Sequence, residues 1–110
     1  MEEVKVVKVQ MEGPADLGGE YRLLETNGYT GTVEIDGQDG LPPFYHYFVN
    51  GKLHRELGAA VMDRGREYTF WIEGECYDKG IYWEKMYQKY KGTADEALCV
   101  SKILGELSAP

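Results

Sequence analysis

Two dipeptides that end in glycine, each preceded by an aromatic-rich segment, constrain the fold more than any other feature of the sequence. Asn50-Gly51 follows residues 44–49, and Glu73-Gly74 follows residues 68–72. Both central positions of a type I′ turn need a positive φ, so these pairs predict two-residue β-hairpins. When the chain is shifted to place Gly51 over Gly74, aromatic residues align with aromatic residues. The pattern therefore predicts a repeated hairpin unit.

The segments before these hairpins also have a β-type pattern. Residues 4–9 and 30–35 are rich in β-branched side chains and are predicted to be strands. Residues 21–25 are predicted to be a short strand that Asn27-Gly28 joins to residues 30–35 in a third, degenerate hairpin. Residues 36–43 are predicted to be a loop.

The last third of the chain has a helical pattern. Asp78 is expected to cap a first helix that ends at Gly92, and Thr93 with Glu96 forms a capping-box sequence for a second helix. The spacing of the apolar residues gives each helix an apolar face. These faces carry Trp83, Met86, Tyr87 and Tyr90 in the first helix, and Ala97, Val100, Ile103, Leu104 and Leu107 in the second.

These elements predict one α+β domain over residues 1–110, a length that leaves little room for a second domain. Antiparallel β-hairpin repeats should form a sheet, followed by two short C-terminal helices. The expected parts are acidic N-terminal strands with a loop in residues 1–43, two hairpin repeats in residues 44–77 and the helices in residues 78–107.

The hairpin register predicts which side chains share a face of the sheet. A two-residue turn pairs Phe48 with Leu53, and the repeat then places Phe48 and Trp71 on one face. The opposite face should carry a tyrosine-rich set. Because both faces are apolar, we expect both to be covered, either within the chain or by a partner. The candidate partner-binding tyrosines are Tyr45, Tyr47 and Tyr68.

The formal net charge is −7, and most of it falls in residues 1–43, which hold nine acidic and three basic residues. Phosphates would be repelled by this charge, so direct binding to nucleic acid is disfavoured and a basic protein surface is the expected partner. A merely solubilising acidic surface is the alternative. The candidate partner-binding acids are Glu25, Glu34, Asp36 and Asp39.

Residues 48–60, FVNGKLHRELGAA, resemble the repeat unit of MORN-like proteins, which are common in phages, giant viruses and bacteria. The resemblance extends over residues 44–90 and departs from the family at Leu57 and Ala59, where Asp and Pro are usual. It implies a structural or binding repeat without a common catalytic residue. By size and acidity the chain also resembles the small inhibitors, such as anti-CRISPR proteins, that phages use against host defence enzymes.

No P-loop, Gly-x-Gly-x-x-Gly or Gly-x-Ser-x-Gly motif is present. The register places His46 and His54 on opposite faces, and Cys76 and Cys99 form no Cys-x-x-Cys pair, so neither a metal site nor an acid–base pair is predicted. We therefore expect a non-enzymatic binder without metal or cofactor. A self-assembling structural module and a small hydrolase or metal protein are the alternatives.

No apolar run approaches the roughly 20 residues that span a bilayer, and the N-terminus lacks the pattern of a signal peptide. These features predict a cytoplasmic protein, of a bacterial host cell if the phage resemblance holds, without membrane contact. The sequence leaves a monomer and a homodimer open.

Overall fold

The computed structural model describes residues 6–10, 18–37 and 40–108, with the side chains of residues 106–108 excepted. Seven strands and three helices lie within these ranges. In chain order they are β1 Val6–Val9, α1 Gly18–Thr26, β2 Gly31–Ile35, β3 Phe44–Val49, β4 Lys52–Leu53, β5 Val61–Asp63, β6 Arg66–Ile72, β7 Glu75–Tyr77, α2 Lys79–Tyr90 and α3 Glu96–Ser108.

The strands form one mixed sheet in the order β1-β2-β3-β5-β6-β7, with β4 paired to β3. The predicted α+β class is confirmed, and so are the two helices near the C-terminus. An antiparallel sheet was expected, but one pairing differs. β1 runs parallel to β2, with Val7 opposite Val33. A parallel pair needs a crossover connection, and α1 lies within that connection.

Three type I′ turns join neighbouring strands. The φ angles are +51° and +79° at Asn50-Gly51, +50° and +84° at Arg64-Gly65, and +49° and +85° at Glu73-Gly74. The two predicted hairpins are confirmed, whereas the Arg64-Gly65 hairpin was not predicted. The pairings of Phe48 with Leu53, His46 with Val61 and Val61 with Thr69 place Phe48 and Trp71 on one face, as predicted.

The predicted strand over residues 21–25 is wrong, because these residues belong to α1. Asn27-Gly28 is not a hairpin turn but the end of that helix. The Tyr29 amide donates to the Leu24 carbonyl (2.9 Å), and the Gly28 amide donates to the Glu25 carbonyl (3.3 Å). These two bonds, with φ +71° at Gly28, make a Schellman cap. The hairpin repeat therefore has two units and no third.

The sheet carries a separate apolar cluster on each face. On one face α1 packs over β1–β3, in a cluster that buries Val9, Tyr21, Val33, Ile35 and Phe48. On the other face α2 and α3 pack against β6, in a cluster that buries Ala59, Phe70, Tyr82, Trp83, Met86 and Cys99. Both faces are thus covered in part by helices of the chain itself.

The strand that returns from the Asn50-Gly51 turn is interrupted. β4 ends at Leu53, and β5 then resumes pairing along the same edge of β3. Tyr47 bridges the gap, since its carbonyl accepts from the His54 amide (3.0 Å) and its amide donates to the Ala60 carbonyl (2.8 Å). Residues 54–60 form a loop that leaves the sheet between these two bonds, and we call them the bridging loop.

The helix caps agree in part with the predictions. The Asp78 carboxylate accepts from the Gly80 amide (3.1 Å), as expected of an N-cap. At α3 the Thr93 hydroxyl accepts from Asp95 rather than from Glu96, and the Glu96 carboxylate accepts from the Gly92 amide. The predicted apolar stripe of α2 faces the core, whereas Val100 and Leu104 of the predicted α3 stripe are exposed.

Gly51 lies against the C-terminal end of α1, where its amide donates to the Tyr29 carbonyl (2.8 Å). A β-carbon there would lie 2.2 Å from the Glu25 carbonyl oxygen. Gly51→Val should therefore combine backbone strain with displacement of α1 and lower the free energy of unfolding by about 2–4 kcal/mol. Gly65→Val is the matched control, because it occupies the same turn position with no neighbouring atom within 4 Å.

Urea unfolding of the two glycine variants measures the difference. Gly65→Val should cost only the backbone strain of about 1–2 kcal/mol. Equal losses in both variants would show that the contact between Gly51 and α1 does not contribute to stability.

A histidine and a tyrosine form a polar pair between α1 and the sheet. The Tyr21 hydroxyl lies 2.6 Å from His46 Nδ1, with the two rings edge to face. Desolvation by burial lowers the pKa of His46 to about 4, so the imidazole is neutral at pH 7 and its Nδ1 accepts a hydrogen bond from the Tyr21 hydroxyl. Desolvation also raises the pKa of Tyr21, which keeps this hydroxyl a donor.

The lowered pKa of His46 predicts that acid destabilises the folded chain. The unfolded chain binds a proton near pH 6.5 and the folded chain only near pH 4, so stability falls as pH decreases through this window. The loss should approach about 3 kcal/mol at pH 4. Urea unfolding at several pH values measures it, and His46→Gln should flatten the dependence between pH 6.5 and 4.5. An unchanged slope in that variant would assign the effect to other groups.

Candidate interaction site

The two confirmed hairpins lie side by side at one end of the sheet. The Gly74 amide donates to the Leu53 carbonyl (2.8 Å), and the Arg55 amide donates to the Trp71 carbonyl (3.3 Å). A β-carbon at Gly74 would lie 3.6 Å from the aliphatic chain of Lys52, so the second turn packs directly under that lysine. The C-terminal end of α1 closes the same region from one face.

A cleft of about 420 Å³ opens between the turns and α1. Its apolar wall consists of Leu53 and the half-buried Trp71, whose indole Nε1 donates to the Thr69 hydroxyl (2.8 Å) and is thereby oriented. Glu25 of α1 and Glu73 of the second turn bring two exposed carboxylates to the cleft, and Lys52 brings one ammonium group. We call this the hairpin-tip cleft. An indole beside carboxylates is suited to binding a cationic side chain.

The bridging loop forms a second polar centre, on the side of α2. His54 Nδ1 accepts from the Glu73 amide (3.0 Å), and Nε2 lies 3.3 Å from the Glu56 carboxylate. Glu56 also accepts from Lys89 Nζ (2.5 Å) and from the Tyr90 hydroxyl. Hydrogen bonds from Lys89 and Tyr90 lower the pKa of Glu56 to about 2, against the opposing effect of burial. This network connects the second hairpin turn to α2.

Tyr82 anchors the bridging loop from below. Its hydroxyl is buried, accepts from the Gly58 amide (3.2 Å), and lies 2.5 Å from the Arg55 carbonyl and 2.8 Å from the Gly58 carbonyl. The loop also contains Leu57 at φ +60°, a conformation that costs on the order of 1 kcal/mol outside glycine. The Tyr82 bonds hold this strained turn in place.

Removing the Tyr82 hydroxyl should leave the amide and carbonyl groups of the loop unpaired in a buried place. Tyr82→Phe is therefore expected to lower the free energy of unfolding by about 1–3 kcal/mol. Tyr77→Phe is the control, because the Tyr77 hydroxyl donates to Glu75 at an exposed position and its loss should have a much smaller effect. Equal effects in a urea titration would contradict the anchoring role.

The predicted acidic residues do not form one patch. Glu25 lies on α1, on the face of the sheet opposite Glu34, because the predicted hairpin through Asn27-Gly28 is instead the end of that helix. Glu34 accepts from the Tyr45 hydroxyl (3.2 Å) and pairs with Lys8 (3.8 Å). Asp36 is exposed just after β2, and Asp39 lies outside the described residues. Of the three predicted acids that the structure describes, Glu25 alone lines the hairpin-tip cleft.

The predicted tyrosines are likewise divided. Tyr45 and Tyr47 are half-buried on the face of Glu34, and the Arg55 guanidinium lies 4.2 Å from the centre of the Tyr47 ring. Tyr68 is 66% exposed and lies in β6 where the register with β5 shifts. Cationic groups thus accompany both Tyr47 and Glu34, and the charge of this face is mixed rather than acidic.

Sequence reasoning did not identify Trp71 and Glu73 as candidate site residues. The repeat alignment contained a usable signal, because two adjacent hairpins bring their turns together at one edge. Within the described ranges, no three histidine, cysteine or acidic side chains are grouped so that they could hold a metal ion. No helix in the same ranges is long and apolar enough to cross a bilayer.

In comparisons with known proteins, no family model matches the chain, and neither a curated protein nor a solved structure does.

Proposed function

We propose that the chain is a non-enzymatic protein-binding module that takes a basic surface of a partner into the hairpin-tip cleft. The observation that supports this proposal is the oriented indole of Trp71 in one cleft with the carboxylates of Glu25 and Glu73. A guanidinium or ammonium group in this cleft would stack on the indole and pair with the acids, with Leu53 contacting its aliphatic chain.

The net charge supports the same type of partner. At −7 the chain attracts basic surfaces over long distances and repels phosphates. Such attraction speeds association and is weakened by salt, because the Debye length falls from about 10 Å at 0.1 M to about 3 Å at 1 M. Binding that depends on the cleft should therefore weaken as salt rises through this range.

Surfaces that bind nucleic acid are rich in exposed arginine and lysine, and we propose that the partner presents one. In this proposal the chain is a phage-type inhibitor, anti-CRISPR-like in action, that occupies such a surface on a host defence protein in the bacterial cytoplasm. The acids of the chain then take the place of phosphates, and the partner loses its nucleic acid when the inhibitor binds.

A second candidate is a structural MORN-like module that joins a larger complex or associates with itself. The docking of the two hairpins through the Gly74–Leu53 and Arg55–Trp71 backbone bonds favours it, because repeat proteins stack equivalent units in this way. This candidate predicts association that does not require the acids of the hairpin-tip cleft.

An arginine-rich peptide tests the cleft directly. A change in tryptophan fluorescence when the peptide binds reports on Trp71, because Trp83, the other tryptophan, is fully buried. Glu25→Lys with Glu73→Lys should weaken binding by about 100-fold or more, since each reversal replaces attraction by repulsion. Glu20→Lys with Asp95→Lys is the control, because it makes the same change of net charge at exposed positions outside the cleft.

Equal weakening by both double variants would show that only net charge matters and would reject the cleft as the site. The triple reversal of Glu34, Asp36 and Asp39 tests the other acidic segment, and a loss of binding confined to it would move the site to the Tyr45 face. Capture from a bacterial lysate with the original chain and the cleft variant, followed by mass spectrometry, would then identify the partner. Added nucleic acid should compete with the capture.

A further inference from the structure

The two docked hairpin turns are held by different kinds of side chain at the same position. In each turn the amide of the first central residue donates to a side-chain acceptor outside the turn. The Asn50 amide donates to the Thr30 hydroxyl (2.9 Å), whereas the Glu73 amide donates to His54 Nδ1 (3.0 Å). A hydroxyl oxygen accepts at any pH near neutrality, but an imidazole nitrogen accepts only while it carries no proton. The second turn is therefore held by an acceptor that acid removes.

The two ring nitrogens of His54 have different roles. A backbone amide can only donate, so Nδ1 is the acceptor and the proton of the neutral ring lies on Nε2. Nε2 faces the Glu56 carboxylate at 3.3 Å. A second proton must enter at Nδ1, directly opposite the Glu73 amide. The imidazolium then has two donors and offers that amide no acceptor in any orientation of the ring.

The charged groups around His54 determine what its protonation does. Glu56 favours the imidazolium, because the two form an ion pair across the existing 3.3 Å contact. Lys89, which is bound to Glu56, and Lys52, which lines the same cavity of about 550 Å³, oppose it. Hydrogen bonds from Lys89 and Tyr90 lower the pKa of Glu56 to about 2, so this carboxylate stays charged in mild acid. Protonation thus strengthens the contact of the ring with the bridging loop and breaks its contact with the turn.

Glu73 connects the cavity around His54 to the hairpin-tip cleft, since it lines both. Its negative charge also favours a protonated His54. Its φ of +49° is one that residues other than glycine rarely adopt, so the turn needs its bonds to keep this backbone in place. Loss of the bond from the Glu73 amide lets the backbone relax and moves the attached carboxylate relative to Trp71.

We propose that His54 is a pH-dependent latch on the second hairpin turn. While neutral, the ring holds the Glu73 amide and keeps the Glu73 carboxylate beside Trp71 in the hairpin-tip cleft. When protonated, the ring pairs with Glu56 and releases the turn, and the cleft binds a cationic side chain less tightly. The latch follows from the contacts of the ring alone, whereas its effect on the cleft rests on the proposed function.

Amide exchange measured by NMR tests the latch without a ligand. From about pH 7.5 to 5.5, the protection of the Glu73 amide relative to the unfolded chain at the same pH should fall about fivefold or more, because one hydrogen bond is lost. The Asn50 amide is the matched control and should keep its protection, since its acceptor is a hydroxyl. Nitrogen chemical shifts of the His54 ring should place the single proton on Nε2 at the higher pH. Equal loss at both amides, no loss at Glu73, or a proton on Nδ1 would overturn the latch.

The arginine-rich peptide, blocked at both termini, tests the effect on the cleft, because arginine keeps its charge in this range. For the original chain, the dissociation constant should rise about fivefold or more between the two pH values. Burial lowers the pKa of His46, the other histidine, to about 4, so it stays neutral. In His54→Asn an amide oxygen replaces Nδ1 as acceptor and takes up no proton, so binding should stay tight at both pH values. In His54→Leu, which is neutral and has no acceptor, binding should be weak at both.

The two variants separate the lost bond from the added charge. If His54→Leu bound as tightly as the original chain at the higher pH, the acid effect would come from the charge of His54, and control of the cleft by the latch would be rejected. An unchanged pH dependence in His54→Asn would reject it as well. A peptide that bound at neither pH would reject the proposed function, while amide exchange would still decide the latch. Circular dichroism should show that all three chains stay folded at both pH values.

Discussion

The structure depends on the hydrogen bonds by which one buried tyrosine holds the bridging loop. Tyr82 of α2 bonds to both ends of a turn that leaves the sheet after β4 and returns as β5. Without this anchor, the Arg55 carbonyl and the amide and carbonyl of Gly58 would lose their hydrogen-bond partner where the loop leaves the sheet. The anchor also sets the position of α2, since the same loop carries Glu56, to which Lys89 and Tyr90 bind. Sheet, loop and helix are thus held by one group of polar contacts.

Local signals predicted much of the fold. The Asn50-Gly51 and Glu73-Gly74 turns, the strands beside them and the Asp78 cap follow from short-range preferences that tertiary contacts left unchanged. Asn27-Gly28 is the same dipeptide as Asn50-Gly51, but it ends a helix and does not form a hairpin turn. A positive φ is required both in a type I′ turn and in a Schellman cap, so the dipeptide alone does not distinguish a hairpin from a helix end. The nine residues of α1 are stabilised by packing of Tyr21 and Leu24 against the sheet, and this packing is not visible in a short sequence window.

The candidate site was less predictable, because closeness in sequence did not correspond to closeness in space. Glu25 and Glu34 are near each other along the chain but lie on opposite faces of the sheet. The hairpin-tip cleft instead joins acids that are far apart in sequence, Glu25 and Glu73, through the contact of α1 with Gly51. That contact could be predicted only after α1 was known to be a helix. The outward stripe of α3 shows the converse case, in which the sequence pattern was correct but the face it describes is exposed.

The division of the apolar core between two faces has a consequence for the order in which the molecule assembles. The cluster around Trp83 is built from hairpins and helices that follow one another directly, so its contacts close short loops and can form early. The cluster around Val33 includes β1, whose parallel pairing with β2 must await the crossover through α1. Strand β3 contributes to both stages, through Phe48 on one side and its pairing with β5 on the other. The C-terminal half of the sheet therefore forms a template on which the N-terminal strand β1 docks last.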